Sequence, residues 1–431
     1  MPVLTEVAPP ATPTSSVRLR PLLLLLLILA AFALPLWHVH VVDGRMPLID
    51  NDLTGRLVGT RAALDGHDPY SAAVLRQIQI GYYGRPLRLS DDADPQRFAY
   101  PAYLIPLLAP LASMYWSTAC LLFLLIVSPL LVWSIWACIR LVNPALSSAT
   151  TAMTVFLVFC SWPVIWALRL VQPTLLVAVA VFLGCFFLSR GYHIAAGALL
   201  AISVLKPPLV LPLLVWLLLW AILHRAWKLL ASFLVTFTLL SLATEKIAPG
   251  WFSHWRADLR GYGPNTMLPL QFTFGHWPGL IATLLLLAWS AWLLWRLRHA
   301  PARSLQFALA VSIALSAAVC ANLMKGSVIY DHVMIIPCCL LLAFSQPTTY
   351  YAALTRRVSM ALIVFGYVLV PLAILGESIF PPSDFWDTLP CRNLILPAVV
   401  TIALAFQALE TFRVQRTDDL LPLPLATNPS L

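Results

Sequence analysis

Apolar runs nearly free of internal charge follow one another along most of this chain. They fall at 21–42, 117–140, 149–168, 173–189, 194–206, 208–223, 228–246, 277–295, 304–322, 328–345, 358–376 and 393–411. A helix needs about 20 such residues to cross the hydrocarbon core of a bilayer. Most of the runs approach that length; 194–206 and 208–223 are short and meet at Lys206-Pro207-Pro208. Overall, 60% of the 431 residues are hydrophobic and 10% are charged. A soluble domain has roughly half apolar and a quarter charged residues, and one soluble core could not hide this surplus. A cytosolic globular enzyme and a disordered chain are both excluded. So is a β-barrel, whose strands would alternate apolar and polar residues. The expected fold class is an all-α polytopic membrane protein with about twelve transmembrane helices.

The net charge of +9 does not point to nucleic acid. The Lys and Arg residues sit at the ends of apolar runs, not on a basic stripe interleaved with aromatics. They read as a topology signal. With the N-terminus inside and 100–113 not spanning, the inner segments hold Arg18, Arg20, Arg140, Arg190, Arg225, Lys228, Arg296, Arg298, Arg303, Arg356, Arg357, Arg413 and Arg416. Those are thirteen bases against four acids; the outer face holds fourteen of each. The expected location is the cell membrane, multi-pass, with both termini cytoplasmic and the active face outward. Ala31-Phe32-Ala33 mimics a signal-peptidase site, but cleavage there would leave an apolar stub, so 21–42 is read as the first span. Seven of eight cysteines lie inside apolar runs and Cys391 lies near a loop, so no disulfide framework is expected.

The domain reading is a disordered cytoplasmic tail over 1–20, one integral-membrane domain over 21–411, and a polar cytoplasmic tail over 412–431. Two outward loops interrupt the domain, at 43–99 and 247–276. The first holds eight Asp and seven Arg. Within it, 57–64 and 72–80 read as short amphipathic helices lying in the interface. The segment 100–113 is apolar but short and carries Pro101, Pro106 and Pro110. It reads as re-entrant or interfacial.

This topology gathers the unusual polar residues on the outer side: Asp50, Asp52, Arg61, Tyr70, Arg169, Gln172, Lys206, Lys325, Asp331 and His332. Ionisable groups at the membrane edge are costly and are functional candidates by default. Each has a plainer alternative. Asp50 and Asp52 serve equally as loop acids or as an N-cap for the segment after Leu53. Arg169 and Lys325 fit as snorkelling anchors. Asp331 and His332 fit as a buried hydrogen-bonded pair. Lys206, between two short helices and beside two prolines, is the hardest to explain structurally. Asp91, Asp92 and Asp94 read as solvated loop acids. No cofactor and no metal site is expected.

Several of these residues fall in motifs. Asp52-Leu53, Arg61-Ala62-Ala63-Leu64 and Gly66-His67-Asp68-Pro69-Tyr70 together resemble the opening motif of glycosyltransferase family 87. This is the bacterial membrane mannosyltransferase family of the glycosyltransferase-C superfamily. Its usual form is an Asp followed by an aromatic, an Ala-Arg-Ala-Leu stretch and Gly-x-Asp-Pro-Tyr. Tyr100-Pro101 with 107–111 is similar to the family's Tyr-Pro-Pro and Ala-Pro-Leu segment. Gln172-Pro173 stands where the family has Gly-Gln. Ala196-Gly197 with Lys206-Pro207-Pro208 is similar to its Ala-Gly and Lys-x-x-Pro element. Tyr330-Asp331-His332 with Pro337 resembles its late Tyr-Asp and Pro element. The resemblance covers roughly 50–340. Three positions depart: Leu53 replaces the aromatic, Val171 replaces the Gly before Gln172, and the polar residue often found after the Lys is missing.

The resemblance implies a glycosyltransferase-C-like fold. It also implies transfer of a hexose, mannose in the family, from a polyprenyl-phosphate sugar to a glycolipid or glycan acceptor on the outer face. A phosphate leaving group needs little acid assistance, whereas the acceptor hydroxyl needs a base. One carboxylate then suffices, unlike the pair in glycosidases, and a cation must neutralise the departing phosphate. Asp52 is the expected base. Lys206 with Arg169, Lys325 or His332 is the expected phosphate site. Asp50, Arg61, Tyr70, Gln172 and Asp331 are expected to bind substrate. A single displacement would invert the anomeric centre. The expected partners are the lipid-linked donor, a lipid or glycan acceptor and membrane lipids, with no nucleic acid. Two alternatives stay open. One is a transporter or lipid flippase, which also uses broken helices; the other is a catalytically silent partner subunit.

Overall fold

A computed structural model describes residues 52–88, 91, 96–260, 268–321, 329–347, 349–365, 367 and 396–418. The expected first span at 21–42, the N-terminal tail, Asp50, Lys325 and Cys391 lie outside the described residues. Helices are the regular elements among those described, with no strand. In chain order they are α1 (Asp52–Leu64), α2 (Ala72–Tyr83), a 3₁₀ turn (Ala102–Leu104), α3 (Ile105–Ala112), α4 (Trp116–Val142), α5 (Ser148–Phe159), α6 (Trp162–Arg169), α7 (Thr174–Ser189), α8 (His193–Ser203) and α9 (Pro207–Leu223). There follow α10 (Trp227–Ile247), α11 (Trp251–Arg260), α12 (Pro269–Phe274), α13 (His276–Arg296), α14 (Leu305–Cys320), a 3₁₀ helix (Ile329–Ile335), α15 (Ile336–Phe344), α16 (Tyr350–Val364) and α17 (Leu396–Asp418).

The chain is a membrane protein, and the apolar helices among the described residues fall where the apolar runs predict. By length alone, three helices among the described residues, α4, α10 and α13, are long and apolar enough to cross a bilayer, and α5 with α6 makes a fourth if that bent pair is one span. The run at 149–168, expected as one helix, bends by 54° between α5 and α6. Pro163 explains the bend: it sits in the first turn of α6, where its missing N–H does no harm, and it cannot continue α5. Pro337 likewise opens α15, so the run at 328–345 begins as a 3₁₀ helix.

Two helices form the centre. Every residue of α14 from Phe307 to Cys320 is buried, as is nearly all of α7. A helix apolar all round belongs inside a bundle. Around them, α7 packs on α4 and α8, while α14 packs on α9, α13, α15 and α17. In contrast, α10 and α13 keep one face open, with Leu239, Leu242, Leu285 and Trp295 all more than 60% exposed. Such surface suits lipid, not water.

Small residues set the closest approach. A Cβ added at Gly197 on α8 would lie 2.4 Å from the Leu229 carbonyl oxygen on α10. The two helices therefore touch backbone to backbone, and Ser232 Oγ donates to Ile194 O across the same seam at 2.7 Å. Bases expected on the inner face close helix ends. Arg303 Nε donates to Ser189 O (2.7 Å), and Arg356 Nη1 to Ser345 O (2.7 Å), satisfying carbonyls left over at C-termini.

One expectation about the first loop is corrected. The helix expected at 57–64 starts at Asp52 and is largely buried, including the polar residues Thr54, Arg56 and Thr60. It packs beneath α2 and α3 and does not lie as an amphipathic helix in the interface.

Candidate active site

Lys206 stands where the backbone breaks. Pro207 and Pro208 cannot extend α8, which stops at Ser203, but they fit the first turn of α9. Lys206 is left as the N-cap, with φ −130° and ψ 76°. Its Nζ lies 2.5 Å from Asp331 Oδ1 and 3.1 Å from Thr174 Oγ1. Thr174 donates to the same Asp331 oxygen at 3.2 Å. Nζ also lies 5.0 Å from the centre of the Tyr330 ring. The Lys206 and Asp331 side chains are only 11% and 1% exposed. An ammonium carries three protons, so these two hydrogen bonds leave one for a ligand.

Asp52 enters from α1. Its backbone N–H donates to Leu170 O at 3.0 Å. That carbonyl belongs to the end of α6, closed by two hydrogen bonds: Gln172 N to Ala167 O (2.9 Å) and Val171 N to Leu168 O (3.0 Å). This is a Schellman ending, which places the residue after the cap in left-handed backbone. That residue is Val171, with φ +49°. The position suits Gly, which gives a physical meaning to the Gly that Val171 replaces relative to the family motif.

Charged groups come together here. Asp331, Asp52 and Arg56, with the phenol of Tyr100, all lie close enough to Tyr330 to act on it electrostatically. Arg56, one helical turn after Asp52, is buried and lies 5.2 Å from the centre of the Tyr100 ring. Tyr100 and Arg56 also act on Lys206. Two cations and two carboxylates thus share one nest. Three polar groups beside them have buried atoms without a hydrogen-bond partner: Tyr100 Oη, both amide atoms of Gln172 and Asp331 Oδ2. Buried polar atoms are normally satisfied, and each that is not costs about 1–3 kcal/mol. A polar ligand would supply those bonds.

Arg56 and Thr174 do not figure among the residues expected from sequence, and Tyr100 and Tyr330 figure there only as motif residues. One signal for Arg56 was present: four residues after Asp52 on a helix is the same face.

The other candidates have other neighbours. The Arg61 guanidinium donates to the carbonyls of Ala112 and Met114 and lies 3.7 Å from the centre of the Trp116 ring, clamping the end of α3. Arg169, at the end of α6, lies 4.6 Å from the Trp166 ring centre. His332 Nδ1 is 2.8 Å from the Tyr367 hydroxyl, so neighbouring residues of the 3₁₀ helix serve different contacts. Tyr70 donates to Tyr100 O at 2.8 Å, linking the 66–70 turn to the nest. Burial pushes the Tyr70 phenol well above its usual range, and Asp258 and Asp68 push it further. Among the described residues no group of three or more His, Cys, Asp or Glu side chains could hold a metal ion.

The family model for glycosyltransferase family 87 matches residues 98–321, just over half of the chain. The matched stretch contains Tyr100, Gln172, Thr174 and Lys206. Asp52 and Arg56 precede it, and Tyr330 and Asp331 follow it. No curated protein and no solved structure matches the chain.

Proposed function

We propose, from the premise that the chain belongs to glycosyltransferase family 87 and is a membrane glycosyltransferase, that it transfers a hexose, mannose in our reading, from a polyprenyl-phosphate donor to a lipid or glycan acceptor. The observation that carries this reading is the buried Lys206–Asp331 pair beside Tyr330, a residue on which Asp52 and Arg56 also act electrostatically. Asp52 takes the proton from the acceptor hydroxyl. The hydroxyl oxygen attacks C1 of the sugar, the bond from C1 to the phosphate oxygen breaks, and polyprenyl phosphate leaves with the electron pair. Lys206 and Arg56 receive the phosphate charge. Arg, a fixed fork of donors, suits phosphate as well as Lys does. The attack and departure are on opposite faces, so the anomeric configuration inverts.

The residues around the nest have supporting roles in this proposal. Asp331 and Thr174 hold the Lys206 ammonium in place, and Gln172 and Tyr100 offer hydrogen bonds to sugar hydroxyls. The reading also keeps twelve spans in one membrane domain, both termini cytoplasmic and the nest near the outer face. It rests on the charge count and on short helices completing spans with their neighbours. Impermeant labelling of Asp92→Cys in intact cells checks the sidedness; labelling only after lysis contradicts it. The substrate test incubates membranes containing the protein with radiolabelled polyprenyl-phosphate mannose, glucose and galactose. Transfer from the mannose donor supports the reading. Transfer from another donor corrects the sugar, and transfer from none contradicts it.

A further inference from the structure

Outside the nest, the described residues form a second polar hollow. It lies between the 66–70 turn, the chain at 97 and α11, and is lined by Asp68, Tyr70, Arg97, His254, Ala257 and Asp258. Its volume is about 330 Å³, within the range of roughly 300–1,000 Å³ typical of small-ligand sites. A smaller recess of about 150 Å³ adjoins it, sharing Asp68 and His254 and reaching Trp251.

The charges of the hollow define its ligand. Each basic group on its wall already has a carboxylate. Arg97 Nη1 lies 3.0 Å from Asp258 Oδ1, and His254 Nδ1 lies 3.1 Å from Asp68 Oδ2. The other Asp68 oxygen accepts from the Tyr70 backbone N–H at 3.0 Å. One strong acceptor is left: Asp258 Oδ2, buried and without a hydrogen-bond partner. An anion would face two acids, each already paired with a base of the wall. A neutral hydroxyl donor meets no such obstacle and satisfies Asp258. Burial raises the Asp258 carboxyl above its usual range, against the opposing effect of Arg97, as expected for an acid awaiting a donor.

The hollow also adjoins the nest. Tyr70 forms part of its wall, and the Tyr70 hydroxyl bonds the Tyr100 backbone, whose ring stacks with Arg56. Trp255, on the same helix as His254 and Asp258, donates its indole N–H to Ala99 O at 3.2 Å. On the other side α11 exposes Phe252 and Leu259, an apolar edge that suits a lipid interface.

We infer that this hollow is the acceptor subsite, and that it binds a neutral, hydroxyl-rich sugar through Asp258 Oδ2. The inference rests on the proposed transferase reading for the word acceptor, but the binding claim stands by itself. Its test is therefore a binding measurement on the full-length protein in nanodiscs. The probes are α-dimannoside, free and as its octyl glycoside, and octyl glucuronide as the anionic control. The wild type should bind the dimannosides in preference to the glucuronide. Ala257→Trp fills the hollow while keeping all four residues of the two ion pairs, and should weaken dimannoside binding at least tenfold. Asp258→Asn removes the strong acceptor and should weaken it several-fold. Equal affinity for free and octyl forms assigns recognition to the sugar; binding of the octyl form alone, still lost in Ala257→Trp, adds the lipid edge of α11.

Arg85→Gln, whose ion pair with Asp91 does not line the hollow, should bind the dimannosides unchanged. A wild type that transfers no sugar yet shows this binding pattern would defeat the transferase reading and leave the subsite. Undetectable binding, stronger binding of the glucuronide, or unchanged binding in well-folded Ala257→Trp overturns the inference.

Discussion

Two ion pairs in this protein have similar lengths and opposite settings. Lys206 and Asp331 meet at 2.5 Å with side chains 11% and 1% exposed. Arg85 and Asp91 meet at 2.7 Å at the outside of the fold, after α2, with side chains 54% and 20% exposed. Water screens the outer pair, and such pairs contribute little. The inner pair lies in a setting where each charge depends on the other, because removing one partner strands the second. Similar distances thus describe unequal commitments. The outer pair, which lowers the Asp91 carboxyl through its hydrogen bond with Arg85, is interchangeable surface. The inner pair fixes where an ammonium points.

The comparison breaks first at Lys206. Lys206→Met should cost about 3–5 kcal/mol of stability, because Asp331 is left charged and buried. Donor affinity should fall at least about tenfold with loss of a charge-assisted contact. Lys206→Met with Asp331→Asn should recover most of the stability but none of the affinity. Thermal melts and donor titrations of the two variants separate these roles. If the double variant binds donor normally, Lys206 is only a structural partner.

A smaller effect is expected where backbones touch. Gly197→Ala should destabilise by about 1–3 kcal/mol, the usual cost of overpacking, since its Cβ would meet Leu229 O. An unchanged melting temperature would show that α8 and α10 can part easily. Val171→Gly should be nearly neutral. Relief of left-handed strain, about 1–2 kcal/mol, offsets lost burial of the Val side chain, about 1.5–3 kcal/mol. Transfer activity should stay within about threefold. A large loss would mean that Val171 packs the site as well as closing α6. At the bottom of the scale, Arg85→Gln should change neither the melting temperature nor activity. A measurable loss there would erase the contrast between the two pairs.

Much of the bundle was legible because apolar periodicity and proline position act locally. Pro207 and Pro208 announced the break at Lys206, and Pro163 lay inside the 149–168 run that bends. The bend itself was not read, because composition averages over a run and hides one proline. Helix α1 was misjudged for a different reason. Thr54, Arg56 and Thr60 look like surface residues, and only the elements packed over them, α2 and α3, make them buried. Lys206 and Asp331 were each singled out, yet they lie 125 positions apart. Their pairing is a product of α7, α9 and the 329–335 helix meeting in space, which no local pattern encodes. Arg61 was prominent for its motif; its carbonyl contacts at the end of α3 depend on a chain reversal that the motif does not reveal.

The central claim is that Asp52 removes the acceptor proton while the Lys206 nest holds the donor. Single-turnover transfer from polyprenyl-phosphate mannose, measured for wild type and Asp52→Asn alongside donor affinity, tests it directly. The account predicts that the transfer rate falls at least about a hundredfold, the contribution of a positioned base, with donor affinity essentially unchanged. A variant that keeps its transfer rate, or that loses donor binding in proportion to rate, would contradict it.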